Sequence, residues 1–211
     1  MALVSRALFA LLVLFHLIPA AAADQAGANK ISQETDVFDT AVRYPAPSWQ
    51  DKPRQAANET NRQQEDASFV LEQIPKGDKF ESWSKLYAVH GQLAPSLEFP
   101  TYVNRSVGVF LRVCGKENFK FKPLQKTEST FLVLIMCEDS PNGKDLAGYG
   151  PGVGEITLMA LAQPYDAFIK VYHHWRGESF SAADKASWPV TPDKLNMMMA
   201  RFRDIEYSRA R

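Results

Sequence analysis

The chain has 211 residues, of which 24 are lysine or arginine and 24 are aspartate or glutamate, so its formal net charge is zero. Proteins that bind nucleic acids, or that dock electrostatically on acidic membranes, show a clear excess of basic residues. The composition supports neither class, and we expect no nucleic-acid partner. The length suits one domain with an extension.

The first 23 residues have the pattern of a secretory signal peptide. Arg6 supplies a positive charge, residues 7–15 form an apolar run, and Pro19 precedes four alanines that end at Ala23. We therefore expect cleavage after Ala23 and a periplasmic or secreted mature protein. The apolar run is shorter than the ~20 residues of a membrane-spanning helix, so no transmembrane segment is expected in the mature form.

Residues 24–66 predict a disordered, polar and proline-containing N-terminal tail. This segment is rich in Gln, Asn, Asp, Ala and Pro and poor in aliphatic side chains. Such a composition buries too little apolar surface to offset the entropy lost on ordering. Trp49 is the exception, because it could pack on the domain or contact a partner, and local packing is the favoured interpretation. We expect a single domain over residues 67–211.

Within that domain, the apolar pattern predicts strands and helices in a definite order. Alternating or continuous apolar runs predict strands, whereas apolar residues three and four apart predict helices. The expected elements are strands at 69–74 and 83–90, a helix at 96–113, strands at 119–125, 130–137, 155–162 and 165–176, and a final helix from 192 to 205. This order predicts an α+β fold, with one antiparallel sheet of about five to six strands and two helices packed on one of its faces.

Cys114 and Cys137 are the only cysteines. In an exported protein an even pair favours one structural disulfide, which would join the end of the first long helix to the end of a buried strand. Free buried thiols and a redox-active pair remain as alternatives, although the spacing is not C-x-x-C.

Aromatic and basic side chains alternate along the last predicted strand. Tyr172, His174 and Arg176 share one face, because successive strand residues point to opposite sides of a sheet. His173 falls on the apolar face and is expected to be a core histidine. We predict the Tyr172, His174 and Arg176 face, together with Trp49, as a ligand or partner surface.

No catalytic motif, cofactor motif or metal-ligand spacing is present in the sequence, so no cofactor and no metal are expected. His90, His174 and Glu178 could form a metal or hydrolytic site if the fold brought them together. Nothing in their spacing requires this. The sequence leaves the question of catalysis open and leans towards a protein that is not an enzyme.

Several local features resemble a group of small exported bacterial proteins with no known activity. These features are Pro75-x-Gly77 followed by Trp83, one cysteine ending a helix and another ending a buried strand, Gly154-Glu155 opening a strand, and the aromatic-basic strand at 171–176. The resemblance covers about residues 68–180. It implies the compartment and the fold alone.

Three functions are consistent with these observations. The first is a periplasmic, non-enzymatic accessory or binding protein of the bacterial envelope, with another envelope protein as its partner. The second is a small periplasmic hydrolase or metal-dependent enzyme that uses His90, His174 and Glu178. The third is a subunit of an envelope or secretion assembly that docks through its N-terminal tail.

Overall fold

The computed structural model describes residues 31–50, 58–144 and 148–211. The predicted signal peptide and residues 24–30 lie outside the described residues. The helices and strands, in chain order, are β1 (Ser32–Val37), β2 (Thr40–Pro45), β3 (Asn58–Gln64), β4 (Ser68–Pro75), β5 (Lys85–Leu93), α1 (Phe99–Asn118), β6 (Phe119–Lys126), β7 (Thr130–Cys137), β8 (Val153–Ala162), β9 (Ala167–Glu178), α2 (Pro192–Phe202) and β10 (Glu206–Arg209).

The central layer is a seven-stranded antiparallel sheet in the order β3-β4-β5-β9-β8-β7-β6. The inner strands β7, β8 and β9 are buried along almost their whole length, as their continuous apolar sequences predict. The outermost strands, β3 and β6, are mostly exposed and carry many polar side chains. Charged and polar side chains at sheet edges discourage pairing with other chains.

A second, three-stranded antiparallel sheet has the order β1-β2-β10. The β1–β2 hairpin and α2 pack on one face of the large sheet, where Phe202 of α2 meets Tyr87 of β5 with ring centroids 5.9 Å apart. Helix α1 packs on the opposite face, where its Tyr102 lies 4.7 Å from the ring of Phe168. The large sheet therefore separates two hydrophobic cores.

The α+β class is confirmed, but the predicted single sheet of five to six strands with both helices on one face is wrong. The described residues form a seven-stranded and a three-stranded sheet, and the two helices lie on opposite faces of the larger one. Four missed strands among the described residues explain the error. β1, β2 and β3 lie in the segment predicted as a disordered tail, and β10 has only four residues. β3 is polar along its whole length, and β1 is largely polar. Edge strands need no regular apolar alternation, so their sequences give little signal.

The prediction of disorder over residues 24–66 does not hold for the described part of that segment. The β1–β2 hairpin contributes Val37, Val42 and Tyr44 to the core, each at most 2% exposed. These side chains alternate with polar ones, so they all face the core. A few apolar residues in alternating positions are therefore enough to order the hairpin, even though the average composition of the segment is polar. The ordered domain therefore begins before residue 67.

The predicted boundaries of α1 and α2 have clear local causes. Pro100 lies in the first turn of α1, where its missing N–H costs nothing. Gly115 has a φ of 68°, a value that favours glycine, and it interrupts the helix where the sequence predicted its end. Thr191 caps α2 by accepting a hydrogen bond from the backbone N–H of Lys194.

A disulfide joins Cys114 of α1 to Cys137 at the end of β7, as predicted. Both cysteines are buried, and Val113 packs with them. The bond therefore attaches the C-terminal part of α1 to the large sheet. In the part of the chain that the structure describes, neither helix combines the length and apolar character needed to cross a membrane.

We expect that replacing Cys114 and Cys137 together by alanine lowers the free energy of unfolding by about 3 kcal/mol, because the unfolded chain regains the entropy of the open loop. Urea unfolding monitored by circular dichroism measures this change. A reducing agent should destabilise the wild type by a similar amount and leave the double variant unaffected. A double variant as stable as the oxidised wild type would contradict the prediction.

Candidate functional site: the groove between helix α1 and the sheet

Helix α1 is held against the sheet at its two ends. Phe99 and Tyr102 are buried near its start, and Val113 and Cys114 are buried near its end. The residues between them are only partly buried or exposed, and Val109 is 43% exposed. The middle of the helix therefore stands over the sheet without closing completely on it.

Two cavities lie beneath this middle section, one of about 470 Å³ and one of about 730 Å³. Both are lined by Ser106 and Val109 from α1 and by Lys170 from β9. We call the combined space between α1 and strands β4, β5, β8 and β9 the α1 groove. The volume of each cavity falls in the range of small-molecule sites.

The polar floor of the α1 groove is organised by Glu155 of β8, which is 2% exposed. Its carboxylate accepts hydrogen bonds from the hydroxyls of Thr157 and Tyr149, both at 3.0 Å, and pairs with Arg176 at 3.3 Å and with His174 at 2.7 Å. Burial alone would raise the pKa of Glu155, but His174 and Arg176 outweigh it and lower the pKa to about 2.

The hydrogen bonds around Glu155 determine which nitrogen of His174 carries a proton. The Thr157 hydroxyl donates to Glu155, so it can only accept from Nδ1 of His174, which lies 2.7 Å away. Nδ1 is therefore protonated. No described residue forms a hydrogen bond with Nε2, and the ring lines the smaller cavity. His174 thus resembles a histidine oriented by an acid, with its second nitrogen free to meet a ligand.

Arg176 is held between two aromatic rings. Its guanidinium carbon lies 3.4 Å from the ring centroid of Trp83 and 3.7 Å from that of Tyr149. Cation–π contacts of this kind are strongest when they are shielded from water. Together with the ion pair to Glu155, they fix Arg176 as part of the groove wall.

A second polar group lies further along the floor. The Tyr172 hydroxyl is 2.8 Å from Nε2 of His90, and Oε1 of Glu72 lies 3.6 Å from the same nitrogen. Burial lowers the pKa of His90 and raises that of Tyr172, which favours a neutral imidazole that accepts a hydrogen bond from the neutral phenol. The ring of Tyr172 in turn packs edge-on against His174, with centroids 4.6 Å apart.

On the opposite face of β9, His173 is fully buried, as predicted for a core histidine. Its Nδ1 faces the backbone oxygen of His174, and its Nε2 accepts from the backbone N–H and hydroxyl of Ser48. Burial lowers the pKa of His173 well below its usual value, which is consistent with a neutral ring. His173 therefore anchors the segment that follows the β1–β2 hairpin.

The structure brings Tyr172, His174 and Arg176 together, as alternation along β9 predicted, but places them in the α1 groove and not on an open surface. Trp49 does not join them. It packs edge-on against His173, with centroids 5.2 Å apart, and donates to Oδ1 of Asn58 at 2.7 Å. Trp49 thus belongs to the other face of the sheet.

The proposed combination of His90, His174 and Glu178 is not assembled. Each histidine has a different acidic neighbour, Glu72 for His90 and Glu155 for His174, while Glu178 is exposed at the end of β9. Among the described residues, no three His, Cys, Asp or Glu side chains lie close enough together to hold a metal ion.

The sequence analysis did not identify several residues of the groove. Glu155 and Thr157 interrupt the apolar run of β8, and polar residues inside a doubly covered strand are a signal of a buried polar network. Lys170 lies on the predicted Tyr172 face and could have been included by the same alternation. Trp83 and Tyr149 lie outside the strands, and their approach to Arg176 had no signal in local spacing.

Glu155 makes the stability of the fold depend on pH. A carboxyl group whose pKa is lower in the folded than in the unfolded chain stabilises the fold above its unfolded pKa, and this contribution is lost as the pH falls through the folded pKa. The pKa of Glu155 falls from 4.5 to about 2. We therefore expect the free energy of unfolding to fall by about 3 kcal/mol between those pH values because of this residue.

The variant Glu155→Gln tests this assignment by urea unfolding at several pH values. It should be about 3 kcal/mol less stable than the wild type at neutral pH, because Arg176 loses its buried counter-charge and Nδ1 of His174 loses a charged acceptor. Its stability should also fall less steeply in acid. Glu178→Gln is the matched control and should stay within about 0.5 kcal/mol of the wild type. Equal acid sensitivity of the wild type and Glu155→Gln would contradict the assignment.

Comparison with known proteins leaves the family of the chain open. No protein-family model matches the sequence, and no curated protein matches it. Similar solved structures include the 1.9 Å crystal structure of the Saccharomyces cerevisiae Ran-binding protein Mog1p, at 13% identity and a TM-score of 0.44, covering 84% of this chain and 95% of that one. A mutant of protein Mog1 gives the same identity and TM-score, with 83% and 95% coverage. Similarity at this level supports no statement about ligands or partners.

Proposed function

We propose that the protein is an exported, non-enzymatic binding protein of the bacterial envelope and that the α1 groove is its binding site. The proposal of export rests on the signal-peptide pattern of residues 1–23. The disulfide between Cys114 and Cys137 agrees with an oxidising compartment, where such bonds persist.

The observation that carries the binding role is the shape and chemistry of the α1 groove. An anchored helix stands over a polar floor, and the space between them can hold a small molecule. The floor is rigid, because Glu155, Arg176 and Tyr172 are each held by neighbouring side chains. A site that is already ordered loses little entropy when a ligand enters, and this favours affinity.

The N-terminal segment is less suited to the docking role expected of it in a secretion assembly. In its described part, the β1–β2 hairpin is packed in the core, and Ser48 is bonded to His173. Deleting residues 24–66 would therefore remove core side chains and the edge strand β3, and loss of a partner could not be separated from unfolding.

His174 supports a second candidate function, a hydrolase. Glu155 orients Nδ1, and Nε2 lines a cavity without a hydrogen bond to any described residue. A histidine oriented in this way can act as a general base towards a substrate or a water molecule. A nucleophilic hydrolase also needs a serine beside the histidine and donors for the oxyanion. The geometry of His174 alone supplies neither, so we rank this candidate second.

Filling the α1 groove should abolish ligand binding. We expect wild-type protein from the periplasmic fraction, incubated with an extract of periplasmic small molecules, to carry a bound mass in native mass spectrometry. Ser106→Phe should lose that mass because the ring occupies the groove. Intact mass of the same sample shows whether the chain begins at Asp24.

The matched control is Asn104→Phe, which places the same ring at an exposed position of the same helix. It should keep the bound mass, and both variants should retain the thermal unfolding transition of the wild type. Equal loading of Ser106→Phe and Asn104→Phe, or no bound mass on the wild type, would contradict the binding role of the groove.

For the second candidate, we expect hydrolysis of p-nitrophenyl esters to fall at least about a hundredfold in His174→Gln, because the general base is lost. Glu178→Gln is the control, since Glu178 is exposed at the end of β9 and lines neither cavity. Rates in His174→Gln that match those of the wild type would exclude this chemistry.

A further inference from the structure

We infer that the ligand of the α1 groove is an organic acid with an apolar body, and that Lys170 binds its carboxylate where the two cavities meet. This inference rests on the proposed function, because it assigns a ligand class to the same groove. It follows from the position of one cation and from the character of the walls around it.

Lys170 has no anionic partner in contact with it. It lies in the middle of β9, opposite His90 of β5, and its Nζ is 5.1 Å from the ring centroid of Tyr172. Within the described ranges, Nζ forms no hydrogen bond and no ion pair. Burial lowers the pKa of Lys170, and the charge of Glu72 raises it without offsetting the effect of burial, as expected for an ammonium group that has lost water without gaining an acceptor in contact.

The other charged groups of the groove floor have partners in contact. Arg176 is paired with Glu155, and the carboxylate of Glu72 accepts a hydrogen bond from Nδ2 of Asn61 at 3.3 Å. Glu72 acts on Lys170 through its charge, but from beyond ion-pair distance. Glu65 and Asp66 line the larger cavity but are exposed at its rim. The unmet requirement inside the groove is therefore an acceptor in direct contact with Nζ, which a ligand carboxylate supplies.

Two further donors lie near this junction on α1. Ser106 lines both cavities, as Lys170 does, and Arg105 lines the larger one. A hydroxyl and a guanidinium are common donors to carboxylates. A single partly buried lysine with these neighbours suits a monoanion better than the higher charge of a phosphate ester.

The walls of the larger cavity indicate what the rest of the ligand is. Leu93, Leu97, Tyr102 and Val109 contribute apolar surface, and the cavity volume is about 730 Å³. Burial of an alkyl or aromatic body there gains about 25 cal/mol for each Å² removed from water. A ligand whose carboxylate contacts Lys170 and whose apolar body lies in this cavity would satisfy both the cation and the apolar walls.

Calorimetric titration of the full mature protein tests the inference with three probes that share one alkyl chain: decanoate, decanol and decyltrimethylammonium. We expect decanoate to bind at least about tenfold more tightly than decanol and the cationic probe to bind most weakly. Lys170→Met should weaken decanoate about tenfold or more and leave decanol unchanged. Lys170→Arg should retain most of the affinity, because the charge remains.

Lys122→Met is the matched control, since Lys122 is exposed on β6 outside both cavities, and it should bind like the wild type. Thermal unfolding of each variant verifies that the fold is intact. Equal affinity for decanoate and decanol, undiminished binding by Lys170→Met, or no binding of any probe would overturn the assignment.

These outcomes separate the inference from the proposed function. If Ser106→Phe loses its bound mass and Asn104→Phe keeps it, but Lys170→Met binds decanoate normally, the groove is a binding site for another ligand class. If the two phenylalanine variants behave alike and no probe binds, both the binding role and the ligand class fail.

Discussion

A carboxylate removed from water is stable only when several donors surround it, and Glu155 imposes this requirement on one whole face of the sheet. Arg176 of β9 supplies the opposing charge, and His174, Tyr149 and Thr157 supply further hydrogen-bonding contacts. The charge of Arg176 on β9 is therefore neutralised by a partner inside the protein. What remains at the groove is a rigid polar floor with few unsatisfied groups.

The seven-stranded sheet allows this polar floor to coexist with a conventional hydrophobic interior. Its other face packs against the β1–β2 hairpin and α2, where the buried Trp175 and Tyr87 belong to a large apolar cluster. Both faces of the sheet therefore carry a hydrophobic core, the larger one on the hairpin side, and the groove is formed on the other side. This division lets α1 rest on its ends without endangering the fold.

The two helices and the strands β4 to β9 were predictable from the sequence, most of them because burial on one or two faces leaves a direct trace in the residue order. The strands β1, β2, β3 and β10 were not predicted. β1, β3 and β10 are short or exposed and are held by backbone pairing to neighbours that the sequence does not identify, and β2 lies in a segment whose average composition is polar. In the groove, alternation placed Tyr172, His174 and Arg176 on one side. The pairing of His174 and Arg176 with Glu155 depends on the register of β8 against β9, which local sequence does not reveal.

The two neighbouring histidines of β9 make this strand intolerant of changes in its length. His173 is bonded to Ser48 on the hairpin side, while His174 faces Glu155 on the α1 side. Inserting or deleting a single residue within β9 would turn every following side chain to the opposite face. If the change preceded Trp175, Arg176 would be directed into the apolar cluster and Trp175 towards the groove. The packing on both faces of the sheet would then be disrupted together. Length changes in the connections between strands carry no such consequence, because they leave the alternation within each strand intact.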